Sequence, residues 1–99
     1  MGYLKGLVAE ASHEEVRRSA VYSIGLYFKE DSETLGYLKG LVADVPHEED
    51  RRSAVYSIGR YFKEDSETLG YLKGLVADAP HEEVRSQAVD SIGDYFEED

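Results

Sequence analysis

Apolar residues recur at spacings of three and four along this chain, in two kinds of stretch that alternate from beginning to end. In the middle of the chain, the first kind carries Leu35, Leu38, Leu41 and Val42. The second kind carries Ala54, Val55, Ile58 and Phe62. These spacings place the apolar side chains on one face of a helix. We therefore predict two amphipathic helices, helix A over about 32–44 and helix B over about 47–63.

The same pair of helices is encoded three times. Residues 2–35 and 36–69 align without gaps and differ at 5 of 34 positions, and residues 70–99 differ from the second copy at 7 of 30. A period of 34 residues is typical of stacked helical repeats. We predict one all-α domain over residues 1–99, a right-handed α-solenoid of three 34-residue helical hairpins with six helices. The first helix covers about 1–11, and the last two cover about 66–78 and 81–97.

Capping residues mark the predicted helix boundaries. Asp31 or Ser32 can accept the free N–H groups at the start of helix A. Pro46 suits the first turn of helix B. In the first copy, Ser12 and Glu15 have the spacing of a capping box at the same boundary.

Glycines recur inside the predicted helices, where each costs about 1 kcal/mol relative to alanine. Gly36, Gly40 and Gly59 have equivalents in every copy. Their repetition predicts close packing between helices at these positions. The alternative is that duplication copied a tolerated defect.

The third copy differs from the second mainly on one face of helix B. Ser86, Gln87, Asp90, Asp94 and Glu97 replace Arg52, Ser53, Tyr56, Arg60 and Lys63. This face loses an aromatic residue and gains acids, so we predict that the replacements form a polar C-terminal cap. We also predict that Tyr22 and Tyr56, which Asp90 replaces, pack against the following repeat.

The first copy has no comparable polar substitutions. Its helix A keeps the apolar residues of the internal copies, Tyr3, Leu4, Leu7 and Val8. An exposed apolar end is a candidate association surface, and we predict a closed homodimer through it. The alternative is that the first hairpin buries these residues itself.

Two further residues differ from their equivalents in the other copies. They are Asp50, near the positive start of a helix, and Leu26, and the helical pattern alone explains neither.

Composition narrows the classes of partner. The formal net charge is −10, and the arginine pairs each follow an acidic pair, so no basic patch for nucleic acid is expected. No apolar run reaches the roughly 18 residues that a membrane span needs. The chain has no cysteine, which excludes disulfides and thiolate chemistry. We expect a soluble protein, cytoplasmic if it is natural.

The polar residues do not predict a catalytic or metal site. His13, His47 and His81 occupy equivalent places in the three copies. Equivalent helices in a stack lie about 8–10 Å apart, too far for a shared metal with bonds of roughly 2 Å. The repeated glutamate pairs have no divergent environments that would separate their pKa values. We expect no cofactor, no metal and no enzymatic activity.

The start of helix B resembles a known family. Val16, Arg17, Ala20, Ile24 and Gly25 resemble the Val-Arg-x-x-Ala-x-x-x-Leu-Gly pattern of HEAT-like repeats, particularly the phycobilisome-lyase type. The third copy repeats the pattern intact, and the second carries Asp50 in place of the valine. Tetratricopeptide repeats share the period, but they would need a small residue where Tyr61 stands. The resemblance implies an α-solenoid whose relatives bind other proteins or act as lyase-like adaptors.

Together these observations predict a non-enzymatic repeat scaffold for protein interaction or self-assembly. Three copies this similar favour an engineered or duplicated chain whose partner is itself. The alternative is a fragment of a natural adaptor or lyase-associated protein that binds a different protein. Such an adaptor would show a ligand surface that varies between repeats, whereas here the variation is concentrated in the third copy.

Overall fold

A computed structural model describes residues 1–96, which form six helices and no strand. The helices are α1 (Gly2–Glu10), α2 (Glu14–Tyr27), α3 (Thr34–Asp44), α4 (Glu48–Tyr61), α5 (Thr68–Asp78) and α6 (Glu82–Tyr95). Odd-numbered helices are the A helices of the three repeats and even-numbered helices are the B helices. The predicted all-α solenoid of three helical hairpins is confirmed.

Helix A of the second repeat begins at Thr34, two residues later than predicted. Asp31 Oδ1 accepts the backbone N–H of Glu33 at 2.9 Å, and the carbonyl oxygen of Asp31 accepts that of Thr34 at 3.1 Å. These bonds close a tight turn before the helix. Asp31, and not Ser32, therefore binds the N–H groups of Glu33 and Thr34, while Glu33 holds the N-cap position without a capping bond from its side chain. Asp65 forms the same turn before α5.

Histidine holds the N-cap position of all three B helices, namely His13, His47 and His81. The predicted capping box of Ser12 and Glu15 does not form, because His13 takes the cap position and Ser12 lies one residue outside it. Pro46 also lies before the cap and not in the first helical turn. Its fixed φ suits the extended connection between the two helices.

Helix B is shorter than predicted at its C-terminal end. Phe62 leaves the helical conformation, with φ −124° and ψ 24°, although its N–H still donates to the carbonyl oxygen of Ile58 at 3.0 Å. The carbonyl oxygen of Phe62 then accepts the N–H of Asp65 at 3.1 Å. A turn therefore replaces the predicted last residues of the helix, and the Phe62 side chain remains in the core.

The core lies between the two helices of each hairpin and between successive B helices. Its most completely buried large side chains are Val21, Ile24, Leu38, Val55, Ile58 and Leu72. Helix α4 packs on α2, α3 and α6. Successive B helices thus form one closely packed layer, and the A helices cover it from one side. The contacts between B helices set how one repeat sits on the next.

Candidate functional site

The first and second repeats are joined by a buried ion pair. Arg17 Nε donates to Asp50 Oδ2 at 2.9 Å, and its Nη1 donates to the carbonyl oxygen of Ala11 at 2.9 Å. Both charged side chains are buried. Asp50 thus neutralises an arginine of the preceding repeat, which explains an aspartate that the helix pattern did not.

The second and third repeats are joined by an equivalent pair that uses a different acid. Arg51 Nε donates to Glu83 Oε2 at 2.7 Å, and Arg51 Nη1 donates to the carbonyl oxygen of Val45 at 2.9 Å. Burial alone would raise the pKa of Glu83, but hydrogen bonds from its backbone N–H and from Arg51, and the Arg51 charge, hold it below its ordinary value. The carboxylate is therefore the form that the interface stabilises.

Glycine allows the B helices to approach each other at both interfaces. A Cβ atom on Gly25 would lie 2.7 Å from Tyr61 Cδ2, and one on Gly59 would lie 2.9 Å from Ser91 Cβ. The predicted close packing is therefore confirmed for Gly59 and for its equivalent Gly25, but not for the third equivalent, Gly93, where a Cβ would meet no atom of the described residues within 4 Å. It is wrong for Gly36 and Gly40, where a Cβ would meet no atom within 4 Å, because both lie on the exposed side of α3.

Tyrosine rings line the outer surface of the B-helix layer. The Tyr22 and Tyr56 rings lie 5.3 Å apart between centroids, and Tyr56 and Tyr95 lie 6.2 Å apart in an edge arrangement. Arg60 Nη1 donates to the Tyr56 hydroxyl at 3.1 Å. Hydrogen bonds with Tyr95 and Tyr56 raise the pKa of the Arg60 guanidinium. The structure therefore brings Tyr22 together with Tyr56 of the following repeat.

The predicted association residues of α1 do not all reach the surface. Tyr3 is 79% exposed, Leu4 and Leu7 are half-buried, and Val8 lies in the core. Including Val8 in an association surface is thus wrong, because α2 and the following repeat cover the side of α1 that carries it. Leu4 is less buried than its equivalents Leu38 and Leu72, which have a preceding repeat against them.

We define the N-terminal end face as the side of the first repeat on which a preceding repeat would pack. It consists of Tyr3, Leu4, Leu7, Glu15, Ser23 and Tyr27. Tyr27 is 73% exposed, whereas its equivalents Tyr61 and Tyr95 are half-buried. The two serines equivalent to Ser23, one in each later repeat, are completely buried. Comparing these exposures between copies identifies the face, and the helical pattern alone does not.

The predicted polar cap occupies a different side of the last repeat. Ser86, Asp90 and Asp94 are exposed to solvent, and Gln87 Nε2 donates to Ser91 Oγ at 3.1 Å. Glu97 lies outside the described residues. This row continues the tyrosine-lined surface of the B layer. It does not cover the side on which a following repeat would pack.

That side is the C-terminal end face, which sequence reasoning missed. It consists of Val76, Arg85, Val89, Ile92 and Gly93. Val89 is 53% exposed, whereas its equivalents Val21 and Val55 are completely buried beneath the next repeat. Val89 does not differ between copies, so the substitutions that drew attention to the last repeat could not reveal it.

The described residues show no constellation of the kind that holds a metal, since no group of three or more His, Asp and Glu side chains converges there. The three N-cap histidines make no capping hydrogen bond through their side chains.

In the A layer, burial raises the pKa of Tyr37, and it raises that of Tyr71 to about 12. Both tyrosines are therefore neutral at physiological pH, with lysines of the preceding repeats over their rings.

Over residues 1–96, none of the helices has the length and apolar character that a membrane span requires. No curated protein and no solved structure matches the chain. The family model for HEAT repeats matches residues 4–93. This match runs from within α1 to within α6, and it includes the arginine and glycine that form each repeat interface. The chain therefore belongs to the HEAT-repeat family.

Proposed function

We propose that this chain is a non-enzymatic helical scaffold that binds protein and that its first partner is a second copy of itself. The observation that carries the proposal is the exposed N-terminal end face. Tyr3 is 79% exposed there, whereas the equivalent Tyr37 lies beneath Lys5 of the preceding repeat, with Nζ 4.7 Å from the ring centroid. Because this face has the residues that pack against another repeat inside the chain, it can associate with a repeat of a second copy.

The family supports the general class of function. HEAT repeats are commonly protein-interaction scaffolds and are generally not catalytic. Stacked repeats build continuous surfaces from equivalent helices, which suits binding to another protein better than enclosing a small substrate. The tyrosine-lined surface of the B layer is the second surface of this kind. A natural adaptor would use it to bind a different protein.

The near identity of the copies supports an engineered or recently duplicated origin. Only 5 of 34 positions separate the first two repeats, and two of these alter the interface or the outer surface, at Asp50 and Leu26. In such a chain, folding and assembly are themselves the function that the sequence serves. Self-association then requires no surface beyond those that already join its repeats.

Light scattering at several concentrations tests the proposal. We expect the wild-type mass to exceed that of the 11.1 kDa monomer and to rise with concentration. Tyr3→Glu places a charge on the N-terminal end face without removing a core side chain, so we expect a folded monomer. Ala43→Glu, which adds the same charge to an exposed position in the middle repeat, is the matched control and should associate like the wild type.

A wild-type chain that is monomeric at every concentration would contradict self-association. The search for a partner would then move to a different protein and to the tyrosine-lined surface. Association that survives Tyr3→Glu would show that another surface mediates it. Circular dichroism of each variant distinguishes lost association from lost folding.

A further inference from the structure

Each internal interface of this chain joins two surfaces that are not alike. One repeat contributes an arginine, a valine and a glycine from its helix B, which are Arg17, Val21 and Gly25 at the first interface. The next repeat contributes an acid, a serine and a tyrosine, which are Asp50, Ser57 and Tyr61. The second interface repeats this arrangement, with Gly59 against Ser91 and Tyr95. The two surfaces are therefore complementary to each other and not to themselves.

The C-terminal end face presents the first of these surfaces, and none of the described residues 1–96 packs on it. Arg85 Nη1 donates to the carbonyl oxygen of Ala79 at 2.7 Å, the same bond that Arg17 and Arg51 form in their own repeats. Val89 is exposed, and a Cβ on Gly93 would meet no atom of the described residues within 4 Å. The arginine is thus held in the orientation that the internal interfaces use.

The N-terminal end face presents the second surface. Glu15 occupies the place of Glu83, Ser23 that of Ser91, and Tyr27 that of Tyr95. All three are more accessible than their counterparts in the second interface, and Tyr27 is 73% exposed.

Val16 strengthens the correspondence with the second interface. There the acid that meets Arg51 is Glu83, which precedes Val84, and in the first repeat Glu15 likewise precedes Val16. Asp50, which takes the valine position, occurs only at the internal junction of the first two repeats. The two end faces therefore carry the residue set of one interface type.

We propose that copies of this chain stack head to tail, with the C-terminal end face of one copy seated on the N-terminal end face of the next. The proposal rests on the self-association proposed above and specifies its geometry. Arg85 pairs with Glu15 of the next copy, and the Tyr27 ring of that copy packs over Gly93. Because the two faces differ, the contact is heterologous and leaves a free face at each end, so assembly continues beyond a dimer.

Two variants that each block one face provide the test. Tyr3→Glu blocks the N-terminal end face, and Gly93→Glu blocks the C-terminal end face at a position where a side chain meets no atom of its own copy. Gly40→Glu, at a glycine in the middle repeat that is equally open, is the control. Masses are measured by light scattering at moderate ionic strength, which screens the repulsion between copies of net charge −10.

We expect the wild-type mass to grow with concentration without stopping at two copies. Each blocked variant alone should remain a monomer. An equimolar mixture of the two should form a dimer and stop there, because one intact face of each kind remains. The Gly40→Glu control should grow like the wild type.

A wild type that stops at two copies, with Gly93→Glu still dimeric, would overturn head-to-tail stacking and leave the proposed self-association standing as a closed dimer. A mixture that stays monomeric would also overturn the stacking. A wild type that is monomeric throughout would overturn both proposals. These three results are distinct in mass alone.

A charge exchange tests the pairing across the junction. Arg85→Glu places two acids opposite each other and should weaken association at least about tenfold. Adding Glu15→Arg to the same chain should restore much of it. Failure of the double variant to associate more tightly than Arg85→Glu, while both are folded, would overturn the proposed pairing.

Discussion

The two internal interfaces of this chain use equivalent arginines, Arg17 and Arg51, but different acids. The difference shows how one substitution in a repeated sequence changes the burial of an ion pair while the arginine keeps its place. At the first interface the acid is Asp50, whose side chain is 2% exposed. At the second it is Glu83, one position earlier in the repeat and 12% exposed. The longer glutamate reaches the same guanidinium from nearer the edge of the interface. One substitution therefore moves an ion pair from a partly exposed to a buried site.

A buried ion pair of this kind adds little net stability. Removing two charges from water costs several kcal/mol, which their attraction and hydrogen bonds roughly offset. Breaking the pair is costly, because one charge then remains buried without its partner. We infer that Asp50 favours the correct stacking of the first repeat on the second, since a shifted arrangement would leave both charges buried and unpaired.

The largest expected effect comes from removing Asp50. With Glu49 neutralised as well, as in Asp50→Ala/Glu49→Gln, no acid faces Arg17, and the free energy of unfolding should fall by about 3–5 kcal/mol. Asp50→Val should cost less, because it recreates the sequence of the third repeat, in which a glutamate before a valine binds the arginine. Glu49 stands in that position. Urea unfolding of both variants provides the measurement.

The double variant Asp50→Val/Glu49→Gln is the control for that comparison. It should lose the advantage of Asp50→Val, since no acid then faces Arg17. If Asp50→Val and Asp50→Val/Glu49→Gln are equally destabilised, Glu49 does not replace Asp50 and the two interfaces are not interchangeable.

A smaller effect is expected from alanine at the interface glycines. Gly59→Ala brings a Cβ to 2.9 Å from Ser91 Cβ, an atom fixed by its own helix, and should destabilise by about 1–3 kcal/mol. Gly25→Ala meets the edge of the Tyr61 ring, which can turn aside, so its loss should be smaller. Gly93→Ala has open space and should stabilise the monomer by up to about 1 kcal/mol.

Thermal unfolding of the three alanine variants checks this order at low protein concentration, where association does not contribute. The same substitution in the same helical position thus gives opposite signs, depending on whether a repeat follows. Destabilisation by Gly93→Ala, or stabilisation by Gly59→Ala, would contradict the packing described for these positions.

Much of the fold could be predicted from the sequence because helical periodicity and the repeat act together. Leu38 and Ile58 lie in the core, where their spacing placed them. The caps were harder to predict: His13 displaced Ser12 because several polar residues compete for one boundary. Asp50 remained unexplained because its partner Arg17 lies 33 residues away, and helical periodicity describes only neighbours along one helix.

The candidate surfaces were only partly predictable, for a related reason. Tyr3 was identified because the N-terminal repeat keeps an internal sequence. Val89 was missed because an unchanged residue gives no signal, and its exposure depends on what packs against it. Comparing equivalent positions between the copies, such as Val89 with Val55, requires the structure, since their sequences are identical at this place.

The smallest expected effect concerns the more exposed pair and appears as a dependence on pH. Because the pKa of Glu83 lies below its ordinary value of 4.5 in the folded chain, the folded state binds fewer protons than the unfolded state near that pH. The stabilisation by Glu83 is therefore complete above pH 4.5 and is lost as the pH falls through the lowered pKa. Glu83→Gln retains an oxygen acceptor for Arg51 but cannot ionise. We expect this variant to be less stable than the wild type at pH 7. The difference in the free energy of unfolding should shrink towards zero on acidification, and urea unfolding across the acid range measures it. A difference that stays constant with pH would show that the charge of Glu83 contributes nothing to the second interface.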